Sequence, residues 1–277
     1  MSKLIQHQVS VIPSFLNNND ENRQVGGRAQ SFQQLSTTFT FIDTHKMKNE
    51  KIIGYLLLAG AIGVFIPYTI LTITFNYPDI LRQESATILT EFHKGGAPLI
   101  FTWLAFALLG IPLLIAYSLI GQKLEPKMPH IRWVTTIGIV SGMLQIIGLL
   151  RWVFVVPILA TEFVSTTNPA AQEAIKISFK VIHQFGGVLL GEHLGQLFTV
   201  VWTVFTSAAL LKVRLIPKWL ALLGFLASFI YFLAQAELFA TVIPTFPVIN
   251  MAGFIGSTLW LVWLILVGVK FIKHRAD

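Results

Sequence analysis

Strongly polar side chains are scarce inside the long apolar runs of this chain, and six of them lie toward the same end of their runs: Arg151, Glu192, His193, Gln196, Gln235 and Glu237. An arginine can grip a carboxylate or phosphate through two parallel hydrogen bonds, a glutamate can take the opposite charge, and glutamine amides donate and accept at one point. Such a set suits a small polar or anionic solute, so these six are the candidate ligand-binding residues. His93 and His183 stand beside them as candidates for the mouth of the same site. Neutral imidazole also suits a metal ion or a haem axial position. His93, His183 and His193 therefore carry an alternative, a metal- or haem-dependent membrane enzyme or redox subunit. Their spacing gives it little support, since the sequence holds neither HExxH nor a His pair four residues apart. No catalytic residue is assigned.

The same residues admit a purely structural use. Arg151 paired with Glu237 or Glu192 would neutralise charge in a low dielectric, making the chain a structural accessory subunit with an Arg151–Glu237 lock. Glu192 and His193 are neighbours about 100° apart on an α-helix, so they address different points.

The elements that position these residues are membrane helices. Of 277 residues, 54% are hydrophobic and 12% charged, about half the charged share of a soluble domain. The apolar residues come as six runs, Ile52 to Phe75, Leu99 to Ile120, Val134 to Ala160, Gly187 to Leu211, Trp219 to Phe239 and Met251 to Ile272. Each is long enough to cross a bilayer as a helix. The fold class expected is all-α: a polytopic membrane protein whose main partner is the lipid bilayer. The net charge of +7 is spread between the runs rather than gathered into a basic stripe, which excludes a nucleic-acid face. With no cysteine, disulfides, thiolate metal sites and iron–sulfur ligation are excluded.

Orientation follows from lysine and arginine. One set of flanks holds Lys46, Lys48, Lys51, Lys123, Lys127, Arg132, Lys212, Arg214, Lys218, Lys270, Lys273 and Arg275, twelve in all; the other holds four, Arg82, Lys94, Lys176 and Lys180. Both termini are expected in the cytoplasm of a bacterial cell, with the protein in its cytoplasmic (inner) membrane. The candidate polar residues then fall in the outer half of the bilayer. Six helices are few for a transport site, so a homo-oligomer is a possible partner arrangement.

Two outer connections, YPDILRQESATILTEFHKGG from Tyr77 and NPAAQEAIKISFKVIHQFGG from Asn168, read as amphipathic surface helices that begin at Pro78 and Pro169 and end at Gly-Gly corners. The distance from proline to glycine is 17 residues in both, and His93 and His183 are rough counterparts. A second correspondence joins the third and fifth helices. Trp133 is followed by Gly138 and Arg151 at five and eighteen residues, and Trp219 by Gly224 and Glu237 at the same intervals. Both helices run the same way, so the expectation is an internal parallel duplication. Helix four adds Gly187, Gly191 and Gly195 and then Thr199, Thr203 and Ser207, while helix three carries Gly138, Ser141, Gln145, Gly148 and Trp152. Small residues at that spacing predict close packing of helices three, four and five around a polar pocket.

Several stretches together resemble one family: YPDILR (Tyr77 to Arg82), LLRWVFVVP (Leu149 to Pro157), HQFGGVLLGEHLGQLFTVVWT (His183 to Thr203), LAQAELFATVIP (Leu233 to Pro244) and GFIGSTLWLVWL (Gly253 to Leu264). They are similar to the bacterial domain of unknown function 4386 family of multi-pass membrane proteins. The resemblance implies a membrane fold and supplies no activity. It covers nearly everything after Met47.

Residues 1 to 46 are polar and lack an apolar period, which predicts a disordered extension ahead of a six-helix domain over 47–277. MKNEKIIGYLLLAG, starting at Met47, has a short basic start running straight into an apolar helix, so Met47 is the expected translation start. The intact mass of protein made from its native DNA should correspond to a chain beginning at Met47; a mass that includes residues 1 to 46 refutes this.

Overall fold

The computed structural model describes residues 50–273. The extension over residues 1 to 46, and Met47 with it, lies outside the described residues. All regular elements within them are helical. Six helical stretches are long and apolar enough to cross a membrane. The first is α1, Glu50–Phe75. A short 3₁₀ turn, Asp79–Arg82, leads to α2, Ser85–Leu108, and α3, Ile111–Leu124, which together make the second span. The third joins α4, Ile131–Phe154, to α5, Val156–Ser165. The fourth is continuous through α6, Pro169–Ile182, a π-helix, His183–Leu194, and α7, Gly195–Lys212. The fifth comprises α8, Lys218–Leu233, and α9, Gln235–Ala240, and the sixth is α10, Ala252–Lys273. Six crossings return the chain to its starting side. Glu50 and Lys273 therefore share one face, called terminal below, and the connections after α1, α5 and α9 share the distal face.

Local chemistry explains the ends and bends. Asn168 caps α6 by accepting from the Ala170 N–H at 2.9 Å, and Pro169 fills the first helical position, where its missing N–H costs nothing. In α2 the helical path is broken at Gly96, whose φ of 54° and ψ of −150° suit a residue without Cβ. The corner expected at Gly95–Gly96 is thus present, although the helix before it starts at Ser85 rather than Pro78. The third span bends at Val155, just after the end of α4 and two residues before Pro157; the proline ring disfavours an unbroken helix through the preceding turn.

The matching corner expected at Gly186–Gly187 is absent. There α6 runs straight into the π-helix, and the glycines serve close packing instead. A Cβ placed on Gly148 of α4 would stand 2.9 Å from the Gly186 carbonyl oxygen and 2.9 Å from the Gly191 Cα. The backbones of α4 and the π-helix therefore touch, which small residues allow and side chains prevent.

Two buried clusters fill the bundle. Toward the terminal face, Tyr117, Trp202 and Trp263 pack with Ile53, Leu57 and Leu264, the Tyr117 and Trp202 ring centroids being 3.9 Å apart. There Lys123 of α3 pairs with Glu50 at the start of α1. Toward the distal face, Phe75, Phe92, Trp103, Trp152 and Phe179 pack together, with Trp103 and Trp152 stacked at 4.8 Å and 11°. The glycines aligned by the expected duplication do the same work: Gly138 of α4 receives the Trp202 ring from α7, and Gly224 of α8 receives the Trp263 ring from α10. Exposed apolar stripes such as Ile62, Phe65, Ile66 and Ile73 on α1 and Leu222, Leu226 and Phe229 on α8 suit contact with acyl chains.

Gly148→Ala should lower the thermal unfolding midpoint of purified protein, because a methyl group there meets backbone on both sides; overpacking of this kind costs about 1–3 kcal/mol. Gly253→Ala is the control, since its nearest neighbour would be the Ala234 Cβ at 3.7 Å. Equal midpoints for the two variants would contradict the close contact.

Candidate functional site

The winding of the fourth span decides which side chains meet. At the end of the π-helix the Gly195 N–H reaches back to the Leu190 carbonyl, five residues earlier. Bonding of that kind gives about 4.4 residues per turn, so each residue advances about 82° instead of 100°. Over the nine residues from His183 to Glu192 an α-helix would put the two on opposite sides. The wider winding brings His183, Gly187 and Glu192 onto one face, and that face lies against α4.

Arg151 is the centre of this contact. Its residue is only 8% exposed, and its guanidinium occupies the space that a side chain at Gly187 would need. Nη1 donates to the Gly148 carbonyl one turn back. The guanidinium carbon is 5.1 Å from the centroid of the Trp152 ring, a cation–π distance. Nε is buried with no hydrogen-bond partner among the described residues.

The expected lock between Arg151 and Glu237 is not formed. Glu237 accepts instead from Arg82 Nε at 2.8 Å, while Arg82 Nη2 donates to Glu192 Oε2 at 2.6 Å. One guanidinium on the connection after α1 thus ties together the fourth and fifth spans. The reason is position: Arg82 lies in the distal connection and reaches α9, whereas Arg151 is held down on Gly148 and Gly187. Burial opposes the charge on Arg82, but the Glu192 and Glu237 carboxylates outweigh it and hold the guanidinium above its ordinary range. Glu192 keeps its second oxygen, Oε1, buried and without a hydrogen-bond partner among the described residues. It lies within electrostatic reach of Arg151 and His183 and of Tyr77 and Tyr231. Burial, and then the charge of Glu192, push the Tyr77 phenol up, so it stays neutral.

His193 faces elsewhere. Its Nδ1 lies 2.6 Å from Gln235 Oε1, and the Gln235 amide donates in turn to Gln196 Oε1 at 3.0 Å. His193 also borders a groove of about 550 Å³ whose other walls include Phe185, Val188, Leu189 and Phe239. Of the two neighbours, Glu192 therefore joins Arg151, while His193 joins Gln235 and Gln196. Further along the fourth span, Ser141 Oγ donates to the Gly195 carbonyl at 2.7 Å, and Gln145 Nε2 donates to Thr199 Oγ1 at 3.0 Å. These bonds join α4 to α7.

The histidines of the proposed mouth differ from each other. His93 is exposed on α2, while His183 is buried and stacked on Phe179 at 5.3 Å. No group of three or more His, Cys, Asp or Glu able to hold a metal gathers among the described residues, so the metal reading finds no ready ligand set. Sequence reasoning missed Arg82, which counted only as a loop charge, and the phenols of Tyr68, Tyr77 and Tyr231. The available signal was YPDILR itself, with one arginine beside a proline on a face otherwise poor in basic residues.

Arg82→Ala should destabilise the protein by roughly 1–3 kcal/mol by leaving the half-buried Glu192 without its partner; the Glu237 arm adds little, because that side chain is 43% exposed. In a Glu192→Gln background the loss should shrink, giving a coupling of about 1 kcal/mol in a double-mutant cycle read by unfolding. Strong coupling between Arg151 and Glu237 instead would overturn this pairing.

No curated protein and no solved structure matches this chain. The family model for DUF4386, described as a domain of unknown function, matches residues 52–268, a stretch that takes in most of each of the six spans and every residue of the cluster around Arg151. This chain belongs to the DUF4386 family.

Proposed function

We propose that this membrane protein binds, and carries across the bilayer, a small polar or anionic solute at the distal site around Arg151, and that the distal face looks out of a bacterial cytoplasmic membrane with both termini inside. The observation that carries the reading is Arg151 itself. A cationic side chain within a membrane span costs roughly 2.5–3.5 kcal/mol on insertion scales. Here it is 8% exposed, Arg82 holds the nearby acid Glu192, and its Nε has no partner among the described residues. An anion meeting Arg151 would supply both the missing charge and the missing acceptor. Orientation rests on the twelve basic residues that flank the terminal ends against four at the distal ends.

A second reading also has an observation behind it. The bridge from Arg82 to Glu192 and Glu237 joins three segments and would serve equally in a structural accessory subunit. One experiment separates the two. Purified protein is heated with a panel of small carboxylates, phosphates and neutral polar solutes. Ligand bound only to the folded state raises the unfolding midpoint. In the solute reading at least one compound does so, and Arg151→Ala abolishes its effect. In the structural reading Arg151→Ala shifts the midpoint equally with and without every compound. The cysteine-free chain also allows a direct test of orientation: Asn168→Cys should react with a membrane-impermeant maleimide in intact cells, and Lys127→Cys only after lysis.

A further inference from the structure

The solute-binding reading leaves open which polar solute the site prefers, and the geometry narrows it. Two charged groups of the cluster each keep a buried atom without a hydrogen-bond partner among the described residues, as the rings of His183 and Trp152 also do, and the two charges are opposite. Arg151 Nε is a donor on a cation, and Glu192 Oε1 is an acceptor on a carboxylate. They belong to the same contact. The Arg151 guanidinium rests on Gly187, and Glu192 follows Gly187 by about one turn of the π-helix, on the same face. Each is also constrained from its other side. Arg151 is fixed by the Gly148 carbonyl and the Trp152 ring, and Glu192 by Arg82 at 2.6 Å. Neither side chain can turn to satisfy the spare atom without giving up a bond already made. The phenols of Tyr77 and Tyr231 lie within electrostatic reach of Glu192. Tyr77 is within electrostatic reach of both Arg151 and Glu192, and Tyr68 and Tyr77 meet edge to face at 5.4 Å.

A plain carboxylate would satisfy Arg151 and sit beside the Glu192 charge with nothing to offer it. A plain ammonium would satisfy Glu192 and repel Arg151. A molecule that carries both groups a few bonds apart completes both atoms at once. Resting on the solute-binding reading above, we infer that the site takes a small zwitterion of the α-amino-acid type, its carboxylate on Arg151 and its ammonium on Glu192 Oε1. Arg82 is then a positioning residue: by holding Glu192 Oε2 it aims Oε1 at the ligand. No covalent step is involved, and recognition consists of two charge-assisted hydrogen bonds of opposite polarity.

The test compares matched compounds on the full-length protein in detergent or nanodiscs. L-alanine is set beside propionate and ethylamine, L-leucine beside isocaproate, and L-phenylalanine beside hydrocinnamate, with the unfolding midpoint titrated against each. At least one amino acid should bind about tenfold tighter than its deaminated partner, the worth of one charge-assisted bond, and ethylamine should bind weakest. Glu192→Gln should remove that preference, weakening the response to the amino acid and, with the acid's charge gone, strengthening the response to the carboxylate. Should Glu192→Gln fold poorly, the comparison within the natural protein decides by itself, since it needs no variant. Carboxylates that bind as tightly as their amino acids overturn the zwitterion and leave the anionic reading standing. No response to any compound that carries a carboxylate overturns both.

Discussion

Glycine at position 148 lets the backbone of α4 lie directly against the backbone of the π-helix, and the polar half of the protein depends on that contact. A helix wound through i to i+5 bonds is broader than an α-helix and normally survives for one turn. Here it persists from His183 to Leu194. Its neighbour offers no side chain to hold it away, and Gly186, Gly187 and Gly191 offer none in return. The broad winding turns Glu192 toward α4 while the close approach leaves a trough beside Gly187. Arg151, less than one turn beyond Gly148, is the side chain long enough to lie in it. One local packing fact therefore places both the cation and the acid of the site.

Charge then sets the roles. Two acids and two arginines meet near the distal face, but they do not pair one to one. Arg82 takes one oxygen from Glu192 and one from Glu237, so the connection after α1 is fastened across the fourth and fifth spans. Arg151 is left to a backbone carbonyl and an aromatic face. A carbonyl and a ring quadrupole are partial compensations for a whole charge in a low dielectric. The arginine nearer the distal connection carries the structural work, and the deeper one keeps unspent hydrogen-bonding capacity. A protein that needed both only for stability would be better served by pairing the deep one, where desolvation is more severe.

The six spans could be read from the sequence because crossing a bilayer imposes a length and a composition, and those survive without knowledge of any contact. The fifth and sixth spans, expected at Trp219 to Phe239 and Met251 to Ile272, end within one residue of where they lie. The common depth of Arg151, Glu192 and Glu237 was equally legible, since depth follows from position along a helix. Their partners were not. Arg82 is 110 residues from Glu192 and 155 from Glu237, and no local pattern reports such a pairing. The π-helix escaped for a different reason. Gly-Gly before an apolar run reads as a corner, and at Gly95–Gly96 it is one, but at Gly186–Gly187 the same dipeptide serves close packing. A spacing of 100° per residue separates Glu192 from His193 but leaves open which of the two faces Arg151; the wider winding decides that for Glu192.

The two ends of the bundle also differ in what their buried polar groups do. Below the π-helix, toward the terminal face, several neutral groups bond to each other or to backbone, Ser141 to Gly195, Gln145 to Thr199, and the Trp260 indole to Thr203 at 3.0 Å, while Ser207 Oγ, Ser228 Oγ and Trp263 Nε1 are buried without a partner among the described residues. Such neutral bonds hold helices together without carrying charge, and they tighten α4, α7 and α10 where the chain returns to normal α-helical winding. The distal half holds Arg82, Arg151, Glu192, Glu237 and the wide helix, backed by the stacked Trp103 and Trp152, while the terminal end has ion pairs of its own, Lys123 with Glu50 and Arg132 with Glu125. Stacked indoles give Arg151 a rigid wall on one side, while Gly187 leaves only backbone on the other. The guanidinium is confined between them, so its free Nε is held in one direction. Under the proposed solute-binding function that confinement would count in favour of binding, because a ligand meeting Arg151 would not spend energy ordering the side chain.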